Sequence, residues 1–268
     1  MKFYPTTYPT ICIAFLVAVP LAHAQFTTID DFESFNNGDT ISGSNGWTGD
    51  ADNIAVTDPD DASNTVLQQS ANGVDALQKT FSSALSSGDT ATLFYQFRID
   101  TTAARDNLDH GFGVGGDNTL DFDSFRAYTA LRQTNIQYRN DTDFDTAVTT
   151  NNVAIGTWYS AWIVADQGAG TSGTYDFYHE EGRNASPGTA IANNIDFRGG
   201  GFLSGAEIDR FMIISGNGIN ADSNDAFLDN IYWDSSGANL VNPVPEPSAF
   251  AALAGVAALG LALVRRRR

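Results

Sequence analysis

The chain has 268 residues, of which 42% are hydrophobic and 12% aromatic, enough to build a packed core and to argue against disorder throughout. Its formal net charge is -18, aspartate far outnumbers glutamate, and Lys2 and Lys79 are the only lysines. Such an acidic surface repels phosphate backbones, so the composition argues against nucleic-acid binding.

The amino terminus is typical of a secretory signal peptide. Lys2 precedes an apolar run, Ile11 to Val19, that is too short to span a bilayer. Ala22 and Ala24 supply the small residues that a signal peptidase reads, so we expect a signal helix within residues 1–24 and cleavage after it. Cys12, the only cysteine, lies in this signal. The exported chain therefore has no disulfide, thiol nucleophile or cysteine metal site.

Residues 25–238 form the predicted working domain, and their patterns indicate strands. Apolar and polar residues alternate repeatedly, whereas no stretch of a dozen residues holds a helical period. Trp158 to Val164 is apolar on both faces, which is typical of a central strand. Other strands are expected at Thr92–Asp100, Phe125–Leu131, Tyr175–Glu180, Ile208–Ile214 and Phe227–Trp233. The fold class is therefore all-β, a sandwich of two antiparallel sheets.

The carboxyl-terminal end has three elements in a fixed order. Residues 239–247 form a proline-rich linker with an extended backbone. Residues 248–264 are uncharged and reach the short limit for a transmembrane helix. The sequence ends with four arginines, and such a cluster is retained on the cytoplasmic side of the membrane. They are Arg265, Arg266, Arg267 and Arg268. We expect the domain outside the membrane and the arginines inside.

The end of this linker carries a family resemblance. Pro245, Glu246 and Pro247, followed by one apolar span and terminal arginines, resemble the PEP-CTERM sorting signal of Gram-negative bacteria. The resemblance implies that a membrane-embedded exosortase recognises these three residues, cuts near them and sends the protein to the cell surface or into extracellular polysaccharide. An inner-membrane intermediate would come first. The alternative is an ordinary single-pass anchor.

The two ends of the domain resemble concanavalin A-like lectin/glucanase jelly rolls. The resemblance rests on Ile29 to Glu33, on Gly46-Trp47, and on Phe227 to Trp233. It implies that the first and last strands are neighbours in one sheet. Family 16 glycoside hydrolases of this fold carry E-x-D-x-x-E on one strand. Glu207 and Asp209 begin that pattern, but Met212 stands where the acid/base carboxylate belongs, so retaining hydrolysis is not expected.

Polysaccharide lyases of similar fold use histidine, tyrosine and arginine. His110 and His179 are the histidines outside the signal, and Tyr95 is a further candidate. No spacing places the two histidines together, so the sequence favours a surface or strand-edge position for each of them over a catalytic role. The candidate ligand-binding residues are Arg98, Arg126, Tyr128 and Tyr178. The aromatic candidates for stacking on sugar rings are Trp47, Tyr128, Tyr178 and Trp233.

Calcium is the one cofactor that the composition favours, because Asp and Asn supply hard oxygen ligands. Related carbohydrate-binding sandwiches often hold a structural calcium near both chain ends. Candidate ligands are Asp31, Glu33 and Asp229, with Asn220, Asp222 and Asp225 as alternatives to them. A solvated turn is the competing interpretation.

Three functions remain open at this point. The leading hypothesis is a non-catalytic, polysaccharide-binding protein of the cell surface or extracellular matrix, and not an enzyme. The second is a purely structural component of the envelope or biofilm. The third is a polysaccharide lyase or hydrolase whose site the sequence does not reveal. The expected processing partners are a signal peptidase and an exosortase-type enzyme.

Overall fold

The computed structural model describes residues 26–69, 75–100, 108–114, 125–132, 135–140, 143–146, 153–168, 173–198, 208–215 and 226–244. The predicted signal peptide, the Pro245–Pro247 tripeptide, the apolar span and the arginine cluster lie outside these residues. The described part is all-β and holds no helix that could cross a membrane.

The described chain forms fifteen strands. In chain order they are β1 (Thr27–Asp30), β2 (Trp47–Gly49), β3 (Ile54–Thr57), β4 (Thr65–Gln68), β5 (Asp75–Leu85), β6 (Thr90–Ile99), β7 (Leu108–Val114), β8 (Phe125–Arg132), β9 (Asn135–Asn140), β10 (Asp143–Thr146), β11 (Thr157–Asp166), β12 (Thr174–Glu181), β13 (Ala192–Asp196), β14 (Ile208–Ser215) and β15 (Ala226–Asp234). The strands predicted from the sequence correspond to β6, β8, β11, β12, β14 and β15.

Two antiparallel sheets are formed, as the sequence predicts. The eight-stranded sheet has the order β13, β12, β11, β6, β15, β4, β3, and β1 also pairs with β15. The seven-stranded sheet has the order β10, β9, β8, β7, β14, β5, β2. The pairing of β1 with β15 confirms that the terminal strands of the domain are neighbours. The architecture is that of a β-sandwich.

The core lies between the two sheets because alternate residues of each strand point inward. In β6, Leu93, Tyr95 and Phe97 belong to the main core cluster, whereas Phe94 belongs to a separate cluster on the opposite face. The hydroxyl of Tyr95 lies 2.6 Å from Thr129 Oγ1 of the other sheet, so the pair connects the two layers. The predicted central position of β11 is confirmed, since it pairs with both β6 and β12.

The outer face of the eight-stranded sheet is also covered. Phe94, Trp162 and Tyr232 form an outward cluster, and Phe26 and Val244 pack against it. Val244 belongs to residues 239–244, the first part of the predicted linker, which lie against this face and are called the strap below. The two ends of the described chain therefore meet on one face of one sheet.

Candidate ligand-binding cleft

A cleft of about 750 Å³ lies beside the covered face of the eight-stranded sheet. Its walls come from the segments after β1 and β3, the loop after β12, the start of β11, the β15 bulge and the end of the strap. The lining residues are Asp31, Glu33, Asp58, Asp60, Asp61, Asn64, Gly156, Thr157, Trp158, Glu181, Gly182, Arg183, Asn184, Asn230, Tyr232 and Val244. Polar and acidic side chains predominate, with two aromatic rings among them.

Arg183 is the central cation of this cleft. Its Nη1 lies 2.6 Å from Asp229 Oδ2 and 2.8 Å from Gln96 Oε1, and its Nη2 donates to Asp58 Oδ2. The guanidinium also stacks on Trp158, with 3.7 Å between Cζ and the ring centroid. Two carboxylates, an amide and an aromatic face therefore hold one planar cation, a geometry that arginine satisfies better than lysine.

The chain reverses after β12, and this turn positions Arg183. Gly182 has a φ of 105°, in the left-handed region that favours glycine, and its amide donates to Trp158 O over 2.8 Å. Ser160 Oγ donates to Gly182 O over 2.8 Å, and Gln96 Nε2 donates to Arg183 O over 2.6 Å. Backbone and side chain of the loop are thus fixed to β6 and β11, so the cleft floor is preorganised.

Asp229 is fully buried beneath Arg183, and four donors surround it. Its Oδ1 accepts from the Asn230 amide over 2.8 Å. Its Oδ2 accepts from Asn64 Nδ2, Asn230 Nδ2 and Arg183 over 2.9, 3.0 and 2.6 Å. Burial raises the pKa of Asp229 to about 6, although these donors favour the charged form. The carboxylate serves to anchor its neighbours and presents no free oxygen to the cleft.

The rim of the cleft is acidic. Glu33, Asp60, Asp61 and Glu181 are exposed, and Asp31 is half-buried. Hydrogen bonds within turns hold some of these side chains. Asp61 accepts from the Ser63 hydroxyl over 2.7 Å and from the Ser63 amide over 2.9 Å, and these bonds lower its pKa. The negative field of Asp31 and Asp229 adds to burial in raising the pKa of Tyr232 to about 12. The rim therefore offers oxygen acceptors to a ligand. The described cation at the floor, Arg183, is already paired with Asp58 and Asp229.

The predicted calcium ligands lie near one another, but their contacts differ from a metal shell. Asp31 and Glu33 line the cleft, whereas Asp229 lies under the guanidinium, which would repel a cation bound to the same oxygen. Within the described ranges, no group of three His, Cys, Asp or Glu side chains is arranged to hold a metal ion. Calcium stays a prediction, and its alternative ligands lie outside the described residues, namely Asn220, Asp222 and Asp225.

The predicted ligand-binding residues are divided between two faces of the sandwich. Arg98 and Tyr178 lie on the outer side of the eight-stranded sheet, where Arg98 Nη1 is 2.5 Å from Asp60 Oδ2 at the edge of the cleft. Arg126 and Tyr128 lie on β8 of the other sheet. Tyr128 is 1% exposed and packs against Phe125, so its ring has no open face. The structure does not unite these four residues in one site.

Several aromatic and titratable candidates lie in the core. Trp47 and Trp233 are each 1% exposed, so the suggestion that they stack on sugars is wrong. His179 is 8% exposed and packs edge-on against Tyr159, 5.7 Å between centroids. Tyr95 is equally interior.

Three further residues from the catalytic patterns lie on the seven-stranded sheet, namely His110, Asp209 and Met212. His110 lies on β7, in register with Thr129 and Ile213. Met212 is fully buried, Asp209 pairs with Arg210 over 2.8 Å, and Glu207 lies outside the described residues.

Sequence reasoning did not identify the residues that organise the cleft. Asp58 is separated from Arg183 by 125 positions and Asn64 from Asp229 by 165, so no local spacing reveals either contact. One signal was present: Arg183 is a single basic residue after the acidic strand end Glu180-Glu181, in a chain with only 14 basic residues. A lone arginine in such a context indicates pairing with carboxylates.

Comparison with known proteins identifies the carboxyl-terminal segment. Residues 243–268 match the PEP-CTERM protein-sorting motif, which confirms that resemblance and means that the protein is exported and sorted by an exosortase. No curated protein matches the chain.

Solved structures with a similar arrangement of strands include three carbohydrate-related proteins. The endo-β-1,4-glucuronan lyase of the fungus Trichoderma reesei is 12% identical, with 77% of this chain and 97% of that one covered and a TM-score of 0.46. The PL-14 alginate lyase of Aplysia kurodai is 15% identical, covering 70% and 88%, with a TM-score of 0.46. The carbohydrate recognition domain of Emp47p is 9% identical, covering 79% and 97%, with a TM-score of 0.44.

Proposed function

We propose that this exported protein is a non-catalytic glycan-binding module that binds neutral or amino sugars in the cleft. The observation that carries the proposal is the combination of a preorganised floor around Arg183 with a rim of oxygen acceptors. Sugar hydroxyl groups are donors as well as acceptors, and planar carboxylate and amide side chains match them. A few fixed polar groups in a concave site supply the specificity of such binding.

The charge of the rim favours one class of sugar over another. Five carboxylates line the cleft at or near its rim, namely Asp31, Glu33, Asp60, Asp61 and Glu181. The central Arg183 is already neutralised by Asp58 and Asp229. A uronate or sulfated sugar would therefore meet repulsion without a free cation to offset it. Neutral hydroxyls or a protonated amino group would be attracted.

The contacts of the described titratable residues support binding rather than catalysis. Two described carboxylates have a shifted pKa, and that of Asp229 is the closer of the two to 7. However, Asp229 is fully buried, and its hydrogen bonds are to other groups of the protein. A general base must reach the proton that it abstracts. His179 is buried against Tyr159 and is not among the residues that line the cleft. These placements favour a module that holds a ligand without transforming it.

A binding measurement tests the proposal. The full chain, purified in detergent, is titrated against neutral, amino-sugar and uronate oligosaccharides. We expect binding of the first two classes, and we expect Glu181→Arg to weaken amino-sugar binding at least tenfold. Asp89→Arg is the matched control, because it makes the same charge change at an exposed position in the β5–β6 turn, at the opposite end of β6 from the cleft.

The other possible results would contradict the proposal or support a different function. Preference for uronates, or equal effects of the two arginine variants, would contradict binding in this cleft. A blank result with all three sugar classes would favour the purely structural role in the envelope. Release of unsaturated or shortened products during incubation would favour a lyase or hydrolase.

A further inference from the structure

The strap is fastened to the domain along its length. The amide of Asn239 donates to Thr92 Oγ1 over 2.9 Å, and Asn239 Nδ2 donates to Asp234 Oδ2 over 2.7 Å. The indole of Trp162 donates to Val241 O over 3.2 Å. The chain thus turns back after β15 and runs across the outer face of the eight-stranded sheet.

The end of the strap is held more firmly still. Asn242 Nδ2 donates to Arg183 O and to Ala185 O, each over 2.9 Å, which joins the strap to the loop after β12. The amide of Val244 donates to Asn242 Oδ1 over 3.0 Å, and its side chain packs on the Phe94 cluster. One asparagine side chain therefore fixes both the strap and the residue that precedes the tripeptide.

This attachment leaves no free chain before the sorting tripeptide. Pro245 directly follows Val244, and the apolar span begins at Ser248. The four Cα–Cα steps from Val244 to Ser248 reach at most about 14 Å, so a docked strap would keep the domain close to the membrane surface if the apolar span crosses the bilayer as the sequence predicts. If the exosortase binds its substrate as an extended peptide through main-chain hydrogen bonds, it needs backbone groups on both sides of the tripeptide. On the upstream side these groups belong to the strap.

We propose that the strap is a gate on sorting, so that the exosortase gains access to Pro245–Pro247 only after residues 241–244 have left the sheet. The docked form is the major state, and the released form is the one that the enzyme binds. The rate of processing then scales with the fraction of released strap. This inference rests on the sorting motif and is independent of glycan binding in the cleft.

Asn242 offers a direct test because it precedes the residues that match the motif, 243–268. Asn242→Ala removes both hydrogen bonds to the loop and the acceptor for the Val244 amide. The full chain is produced in cells that contain an exosortase, and cut and uncut forms are followed by pulse-chase. We expect processing to be on the order of tenfold faster than in the wild type. Trp162→Phe, which removes the donor to Val241 O, should act in the same direction.

A second readout and a control separate strap release from general destabilisation. Exchange of the Trp162 indole hydrogen, which donates to Val241 O of the docked strap, should accelerate in Asn242→Ala while the β6 amides stay protected. Gln78→Ala is the control, since it removes a 2.7 Å hydrogen bond from Arg210 on the other sheet and leaves the strap intact. Its processing should equal that of the wild type. Unchanged or slower processing of Asn242→Ala, or equal acceleration by Gln78→Ala, would overturn the proposal.

Discussion

Replacement of His179 by leucine should stabilise the protein, and more strongly in mild acid than at neutral pH. His179 is 8% exposed, and neither ring nitrogen has a hydrogen-bond partner among the described residues. Burial lowers its pKa to about 4. In the unfolded chain the same imidazole has its ordinary pKa of about 6.5. The folded state therefore binds fewer protons than the unfolded state between these two values, and stability must fall as the pH drops through this window.

The size of the effect follows from the two pKa values. At pH 5 the unfolded state gains about 2 kcal/mol from protonation of His179, and at pH 8 it gains almost nothing. Leucine does not titrate, so the variant keeps that free energy at pH 5. The substitution also removes two buried nitrogen atoms that have no partner among the described residues. This should raise the unfolding free energy by about 1 to 3 kcal/mol at any pH. The gain in unfolding free energy should thus be about 2 kcal/mol larger at pH 5 than at pH 8.

Urea unfolding followed by tryptophan fluorescence measures this difference. Wild type and His179→Leu are compared at pH 5 and pH 8, because their difference cancels the titration of all other groups. Phe177→Leu is the matched control, since it changes a core side chain on the same face of β12 without a titrating group, and its effect should not depend on pH. An equal difference between wild type and His179→Leu at both pH values would refute the reasoning.

Three further predictions concern the buried polar contacts. Arg183→Met should lower the unfolding free energy by about 3 kcal/mol at pH 8 and less at pH 5, where Asp229 accepts a proton; urea titrations at both pH values check this. In a His179→Leu background, the melting temperature should fall as the pH rises from 4 to 6. The folded state holds the Asp229 proton more tightly than the unfolded state does, and a flat profile would contradict the raised pKa. Tyr95→Phe should cost about 1 kcal/mol at every pH, measured by urea unfolding, because Thr129 loses its buried partner.

The long central strands were predictable because one face of each strand packs in the main core and the other face packs in the outward cluster. In β6 apolar residues alternate with polar ones, and in β11 a continuous apolar run indicates a strand buried on both faces, so the local pattern identifies both strands. The short strands β2 and β3 have only three and four residues and carry no such period. Their pairing depends on partners far along the chain, as where Trp47 lies opposite Lys79. Only tertiary contacts define them.

The cleft was less predictable than the fold, for an electrostatic reason. The sequence indicates many acidic side chains but not which of them are buried. Asp229 and Asp58 become interior because one guanidinium and a few amide donors come to them from distant loops. Asp31 and Glu33, which the same reasoning singled out, stay at the rim of the same cleft. The local sequence thus indicated two of the residues that line the cleft. Contacts between residues far apart in the chain determine which carboxylates are buried and which are exposed.

The strap connects the two proposals, because Val244 is both its last described residue and a part of the cleft wall. Phe26, two residues after the expected signal cleavage site, packs in the same cluster, so the two ends of the described chain leave the domain from one face. On the topology expected from the sequence, that face is turned toward the bilayer while the tail is intact. A polysaccharide chain could then reach the cleft freely only after processing.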